Sequence, residues 1–479
     1  MVQAVASEQA SGISSEDLWA EKERLKAENA ALWQAWSETE DLRESKQREL
    51  ASAGSAMGLS LTQIVVVLAM VLPRRLVPSR ATVGRWVQQS AQQSRGILEV
   101  LDRACQGLAL VWCLDEIFLH REPIWMGVEP ISLAWLAGQR GPDRRGERWC
   151  KGIEQWPNLA HVTADGGQGL ERGVKLANDA RRQACEPASE APATITMGLD
   201  VFHTQRELER VLQRVWKQVE SQMETAAKAD ATVEQAQRRG QDTRGVAGSA
   251  GRAWRKAERL FDEAVQAQEA VEQIQGALSW FDASGHLYTR EQAQQALDEA
   301  TKPLQGERWK KAKRMLSDAR TLSHVDRLDE QLRVAVPEPM LRDALVHLWY
   351  LLKALKQAEG DQRVYWSQLV ALSRVLCGQL GPDWKASSMK VDELLRQAVR
   401  ASSAVEGANR VVRMHQGRHR HVSQGMLDLK RLYWNCRAFE AGKRKGRSPY
   451  ELLGLKLPTS DWWQLLQMDP QELEQKLLT

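Results

Sequence analysis

Five short apolar runs lie between residues 108 and 200, with helix-like sequence on both sides of them. Three come in close succession, 108–117, 123–128 and 131–137, separated by turn signals as in a meander. A polar, Trp-bearing helical stretch around 148–155 leads to a run that ends at Asp165, and 193–200 ends at Asp200. Three strands, a helix, a strand, a helix and a strand make an α/β block with a mixed sheet. That block argues against a purely helical structural protein.

The flanks read differently. Residues 14–50 form one charged helix, with Ser14 and Asp17 as a capping-box signal and Leu18, Leu25 and Leu32 seven residues apart. Asn29 and Trp36 share the other seam position, and Lys22 interrupts it, so a dimer zipper and a solvated helix both remain open. After a small-residue link, 51–58, two short helices capped by Ser60 and Ser79 are expected across a Pro-bounded turn. The second carries Arg80, Thr82 and Arg85, close to Arg74 and Arg75. This suits a helix-turn-helix whose second helix enters the major groove, or an ordinary helical hairpin. From about 204 to 400 nearly everything reads as helix, with paired antiparallel helices joined by a Gly-rich link at 239–245.

With 479 residues the chain has room for roughly two to four domains. Lys and Arg number 66 against 62 Asp and Glu, too small an excess to imply nucleic acid by itself. Its distribution says more, because 410–447 is far more basic than the whole. Six scattered cysteines without a CxxC pair argue against a zinc ribbon or disulfide framework. No secretory signal is read at the start and the longest apolar run is too short for a bilayer, so a cytoplasmic protein with no membrane partner is expected. The nineteen Trp beside five Phe and five Tyr find no reason in the sequence.

Three acids stand out. Asp115 closes the first apolar run, Asp165 precedes Gly166 and Gly167, and Glu406 heads the basic stretch. Magnesium takes hard oxygen ligands, commonly one or two carboxylates plus substrate phosphate. Two such ions about 3.5–4 Å apart can stabilise the attacking and leaving oxygens of a phosphodiester displacement. Glu116 competes with Asp115, although strand alternation puts only one of them on a given face. Asp200 competes with Asp165.

The order Asp115, then Val162-Thr163-Ala164-Asp165-Gly166-Gly167, then a distant Glu406, resembles the DDE transposases of bacterial insertion sequences. Asp200-Val201-Phe202-His203 is similar to the Asp-x-x-His motif of Mutator-like members, and the tail from Leu432 to Gly454 resembles the closing segment of several bacterial transposases. The resemblance covers roughly 105–205 and 400–455. It implies an α+β, α-rich multidomain chain: a charged helical arm (1–50), a helix-turn-helix (51–104), a ribonuclease-H-like core in two parts (105–205 and 401–455) interrupted by an all-helical insertion (206–400), and a tail (456–479).

It also implies the roles. Asp115, Asp165 and Glu406 would be the catalytic residues and hold Mg²⁺, with Mn²⁺ as a substitute, while Asp200 and His203 support them. Double-stranded DNA, both element ends and target, would be the partner. A homodimer or higher oligomer would pair the ends, in a bacterial cytoplasm and associated with the nucleoid. Arg410, Arg413, Arg418, Arg420, Lys443, Arg444 and Lys445 would pair with phosphates, beside the plainer reading of a solvated basic face. The competing function is a helix-turn-helix regulator derived from an inactive transposase.

Overall fold

The computed structural model describes residues 15–119, 121–184, 194–399, 403–416 and 422–478. The chain divides into two units: Met1–Leu101, Val411–Glu440 and Leu457–Thr479 form one, and Asp102–Arg410 with Ala441–Lys456 the other. The segment 401–455, expected as one piece of the core, is thus shared between them. The fold is α+β: mostly helical with one five-stranded mixed sheet. No described helix is long and apolar enough to cross a membrane.

In the first unit, helix α1 (Ser15–Ala56) does not stop at residue 50. The small residues expected as a link stay helical because they pack: Ala51, Ser52, Ser55 and Ala56 are buried, and the Ser52 and Ser90 hydroxyls are 2.8 Å apart. The end of α1 is held by Lys430, whose Nζ donates to the carbonyls of Ala56 (2.7 Å) and Ser55 (3.3 Å). Burial pushes the Lys430 ammonium down to about 7, so these two hydrogen bonds are what its position at the helix end offers against the cost of desolvation. The Ser14 cap lies outside the described residues.

Helix α2 (Leu61–Val71) begins with a capping box between Ser60 and Gln63. A 3₁₀ turn (Arg74–Leu76) leads to α3 (Arg80–Cys105), where the Ser79 hydroxyl accepts from Thr82 N at 3.1 Å. At 26 residues α3 is not short. Val83, Val87, Ala91, Leu98 and Leu101 keep an apolar face buried along its length.

In the second unit, β1 (Val111–Leu119), β2 (Glu122–Val128) and β3 (Trp135–Arg140) form the expected antiparallel meander. The third strand starts later than expected because Glu129 gathers 131–132 into a turn. Its carboxylate accepts from the Ile131 and Ser132 amides and from the Ser132 hydroxyl. Helix α4 (Gly146–Glu154), β4 (His161–Ala164), α5 (Gln168–Ala184) and β5 (Thr196–Leu199) follow. The sheet order is β3-β2-β1-β4-β5, with β4 parallel to both β1 and β5.

Tryptophan accounts for much of this core. Trp112, Trp125, Trp135 and Trp149 are fully buried, Trp125 stacks on Trp149 at 5.8 Å, and Trp112 meets Trp156 edge-on at 4.7 Å. Large rings on the sheet demand bare neighbours. A Cβ on Gly152 would lie 2.1 Å from Trp125.

Beyond the sheet run α6 (Val201–Arg238) and α7 (Arg244–Ala277), separated at the expected Gly-bearing link. Then come α8 (Arg290–Thr301), α9 (Lys310–Leu316), α10 (Ser323–Ala335), α11 (Pro339–Gln357), α12 (Gly360–Leu380) and α13 (Trp384–Gln397). Helix α14 (Ser403–Gln416) carries Glu406, and α15 (Gln424–Cys436) carries Lys430.

Candidate functional site

Strand register brings the acids together. Cys113 of β1 pairs with Thr163 of β4, and Thr163 pairs with Gly198 of β5. Two residues further along each strand stand Asp115, Asp165 and Asp200, on one level of three adjacent strands. Since side chains alternate along a strand, equal steps from paired residues put all three on the same face. Asp165 and Asp200 lie just past the carboxyl ends of parallel strands, where open α/β sheets commonly bind ligands.

Each side chain is fixed locally. Asp165 Oδ1 accepts from Gly167 N at 2.9 Å, a turn completed by Gly166 at φ +74°. Asp200 is fully buried, caps α6 by accepting from Phe202 N at 2.8 Å, and holds the His203 ring through Nδ1. Asp115 accepts from the Glu116 amide at 2.8 Å and from Asn409 Nδ2 at 2.6 Å.

Among the described residues, Asp115, Asp165 and His203 offer ligand atoms that all lie within 4.8 Å of one another. Burial pushes the Asp115 carboxyl up to about 6; the nearby Asp165 charge adds to this, and the His203 ring and the Asn409 hydrogen bond oppose it. His203 is held above its ordinary value, first by its hydrogen bond to Asp200 and also by the charges of Asp115 and Asp165. Two carboxylates this close repel unless a cation stands between them. The donor set, two carboxylates and an imidazole at the end of a sheet, fits a divalent ion, with hard oxygens for magnesium or manganese.

Glu406 stands outside that trio. It is partly buried on α14, one turn before Asn409, and Val405, Ala408 and Asn409 around it are completely buried. Asn409 therefore docks the helix that carries Glu406 onto Asp115. Sequence reading missed Asn409. Its only trace is the one-turn spacing Glu406-Gly407-Ala408-Asn409.

Glu116 is settled by alternation. Its carboxylate accepts from Arg144 Nε and from Trp149 Nε1, both at 2.6 Å, on the face opposite Asp115. It has a structural partner set and does not join the trio.

The expected DNA-binding residues divide. Arg74, Arg75, Arg80 and Arg85 are exposed and Thr82 is partly so, with Arg85 donating to the Thr82 hydroxyl at 3.3 Å. Arg410, Arg413, Lys443 and Lys445 are exposed. Arg444 instead turns inward, donating from Nε (3.0 Å) and Nη2 (2.8 Å) to the Ile131 carbonyl. Arg418 and Arg420 lie outside the described residues. Compared with known proteins, the chain matches no family model and none of the curated proteins.

Proposed function

We propose that this chain is a DDE-type DNA transposase that binds the ends of its own mobile element and carries out metal-dependent cleavage and strand transfer. The observation that carries the reading is the convergence of Asp115 and Asp165, far apart in sequence, on adjacent strands with ligand atoms within 4.8 Å. The resemblance implies a ribonuclease-H-like core with a mixed sheet, and the five-stranded mixed sheet, three antiparallel strands followed by two parallel ones, supports that reading. The helix bearing Glu406 docks beside Asp115 through Asn409.

On this reading Asp115 and Asp165 hold the Mg²⁺ or Mn²⁺, with Glu406 completing the set. The bound ions supply charge stabilisation to the oxygens of the phosphodiester. In cleavage, a water oxygen bonds to phosphorus, and the departing 3′ oxygen takes a proton to become a free hydroxyl. In strand transfer that hydroxyl oxygen bonds to a target phosphorus, loses its proton, and expels the target's 3′ oxygen, which takes one up. Asp200 orients His203 against the carboxylates, and Asn409 holds Asp115 in place. The α2–α3 pair acts as the helix-turn-helix that reads the element ends, and the exposed arginines and lysines meet phosphates. The exposed Leu18, Leu25 and Leu32 of α1 supply a seam for the homodimer that pairs two ends.

The test uses a supercoiled plasmid carrying the chain's coding segment with its flanking DNA. Wild type is compared with Asp165→Asn and Glu406→Gln, with and without Mg²⁺ or Mn²⁺. Metal-dependent nicking in wild type alone, with DNA binding kept by all three proteins, is the expected result. Binding without nicking in any of them would favour the regulator reading instead.

A further inference from the structure

A cavity of about 580 Å³ opens directly beside Asp165 and His203 and is walled on its far side by the helices that follow the sheet. Its size falls in the range of roughly 300–1,000 Å³ typical of pockets that take one small ligand.

The charges in its wall are mostly committed to one another. Glu207 is bound by both Arg210 and Lys311, and Arg320 by both Glu171 and Asp318. Lys311 ties α9 to α6 and Arg320 ties the turn that follows α9 to α5, and together these pairs leave little net charge. Two guanidiniums differ. Arg206, one turn beyond His203 on α6, and Arg314 on α9 also line the cavity and are exposed, with no hydrogen bond or ion pair from either guanidinium among the described residues. Guanidiniums held ready beside a pair of carboxylates suit a phosphate, which they bind through paired N–H donors.

We propose that this cavity is a subsite for one phosphate–sugar unit of the strand that is cut, next to the scissile bond, with Arg206 and Arg314 gripping its phosphate. The assignment rests on the strand-cleavage reading of the neighbouring acids. It adds that the helical region supplies part of the substrate site.

The test is binding of a 5′-labelled tetrathymidylate, followed by fluorescence anisotropy in EDTA. Wild type is compared with Arg206→Ala/Arg314→Ala and with Arg255→Ala/Arg259→Ala, which removes the same charge from exposed sites of α7 outside the cavity. The pocket variant is expected to lose about tenfold or more in affinity. Its log–log salt slope should fall by about 1.4, the value for two lost contacts to a single strand. The control should stay within about twofold of wild type. Equal losses in the two variants, or no binding of the tetranucleotide by wild type, would overturn the proposal. If the alanine variant fails to fold, Arg206→Gln with Arg314→Gln carries the same test. Because EDTA excludes cleavage, the outcome is separable from that of the catalytic reading: failure of the acids as a catalytic site would leave the pocket's affinity untouched.

Discussion

The sheet of the second unit and the helices that follow it solve burial by opposite means. The sheet packs tryptophans against glycines and encloses ionisable groups: Asp115 and Asp200 are buried beneath it, and Glu116 is buried on the other face behind Arg144 and Trp149. The helices pack on small residues, among them Ala257, Ala264, Ala270, Ala277, Ala293 and Ala312, each 2 % exposed or less. Most of their charges stay in water, largely in same-helix pairs such as Arg238–Glu234 and Arg333–Asp329, and the buried Glu207 is neutralised by Arg210 and Lys311. Solvated pairs contribute little to stability, and burying a carboxylate costs stability outright. Where a fold keeps carboxylates buried and close together despite that cost, their chemistry is the reason to look for a function there.

The comparison breaks most visibly in catalysis. Neutralising an acid of the sheet site, as in Asp165→Asn, should lower metal-dependent nicking by on the order of 10²–10³-fold. Glu234→Gln on the surface of α6 should leave it unchanged. Plasmid nicking rates decide, and equal behaviour of the two variants would remove the distinction.

A second contrast is thermodynamic. Asp115 binds its proton more tightly in the folded chain, with its carboxyl near 6 against about 3.9 unfolded. The proton-linked stability it contributes is complete below about pH 4 and is lost as pH rises through 6. The cost at neutral pH is about 3 kcal/mol. Denaturant melts at pH 4 and pH 7.5 should therefore show a larger fall in stability for wild type than for Asp115→Asn. A divalent ion at pH 7.5 should restore stability to wild type and not to Asp115→Asn/Asp165→Asn. A difference between the two pH values that is the same in wild type and Asp115→Asn would show that Asp115 is not strained.

The smallest effects sharpen the packing half of the comparison. Gly152→Ala drives a methyl into the Trp125 ring and should cost about 2–3 kcal/mol. Gly248→Ala, inside α7, meets only the far end of Arg252 at 3.7 Å and should stabilise by about 0.5–1 kcal/mol. Thermal melts of the two variants read both signs, and a stabilising Gly152→Ala would mean that the tryptophan layer has slack.

Much of the fold was legible in the chain because periodicity writes it locally. The apolar runs that became β1, β2, β4 and β5 end close to where they were expected, and Ser60 and Ser79 cap their helices as their side chains require. The misreadings have a common cause. Residues 51–56 look like a linker until Ser90 and Lys430 are packed against them, and α3 runs on to Cys105 because its apolar face finds a core. Small residues favour a turn only when nothing covers them.

For the candidate site, the sequence by itself singled out Asp165, Asp200 and His203, which each follow a strand where the chain must turn, and Asp115, which was expected at a strand end and instead stands inside β1, paired with Met126. What only the tertiary structure decided is how they meet. Parallel register set the three aspartates on one level, and alternation turned Glu116 away. Asn409, nearly three hundred residues downstream, closed on Asp115, and α6 and α9 brought Arg206 and Arg314 to the same opening. Those choices depend on pairing and packing between distant segments, and spacing along the chain carries no record of them.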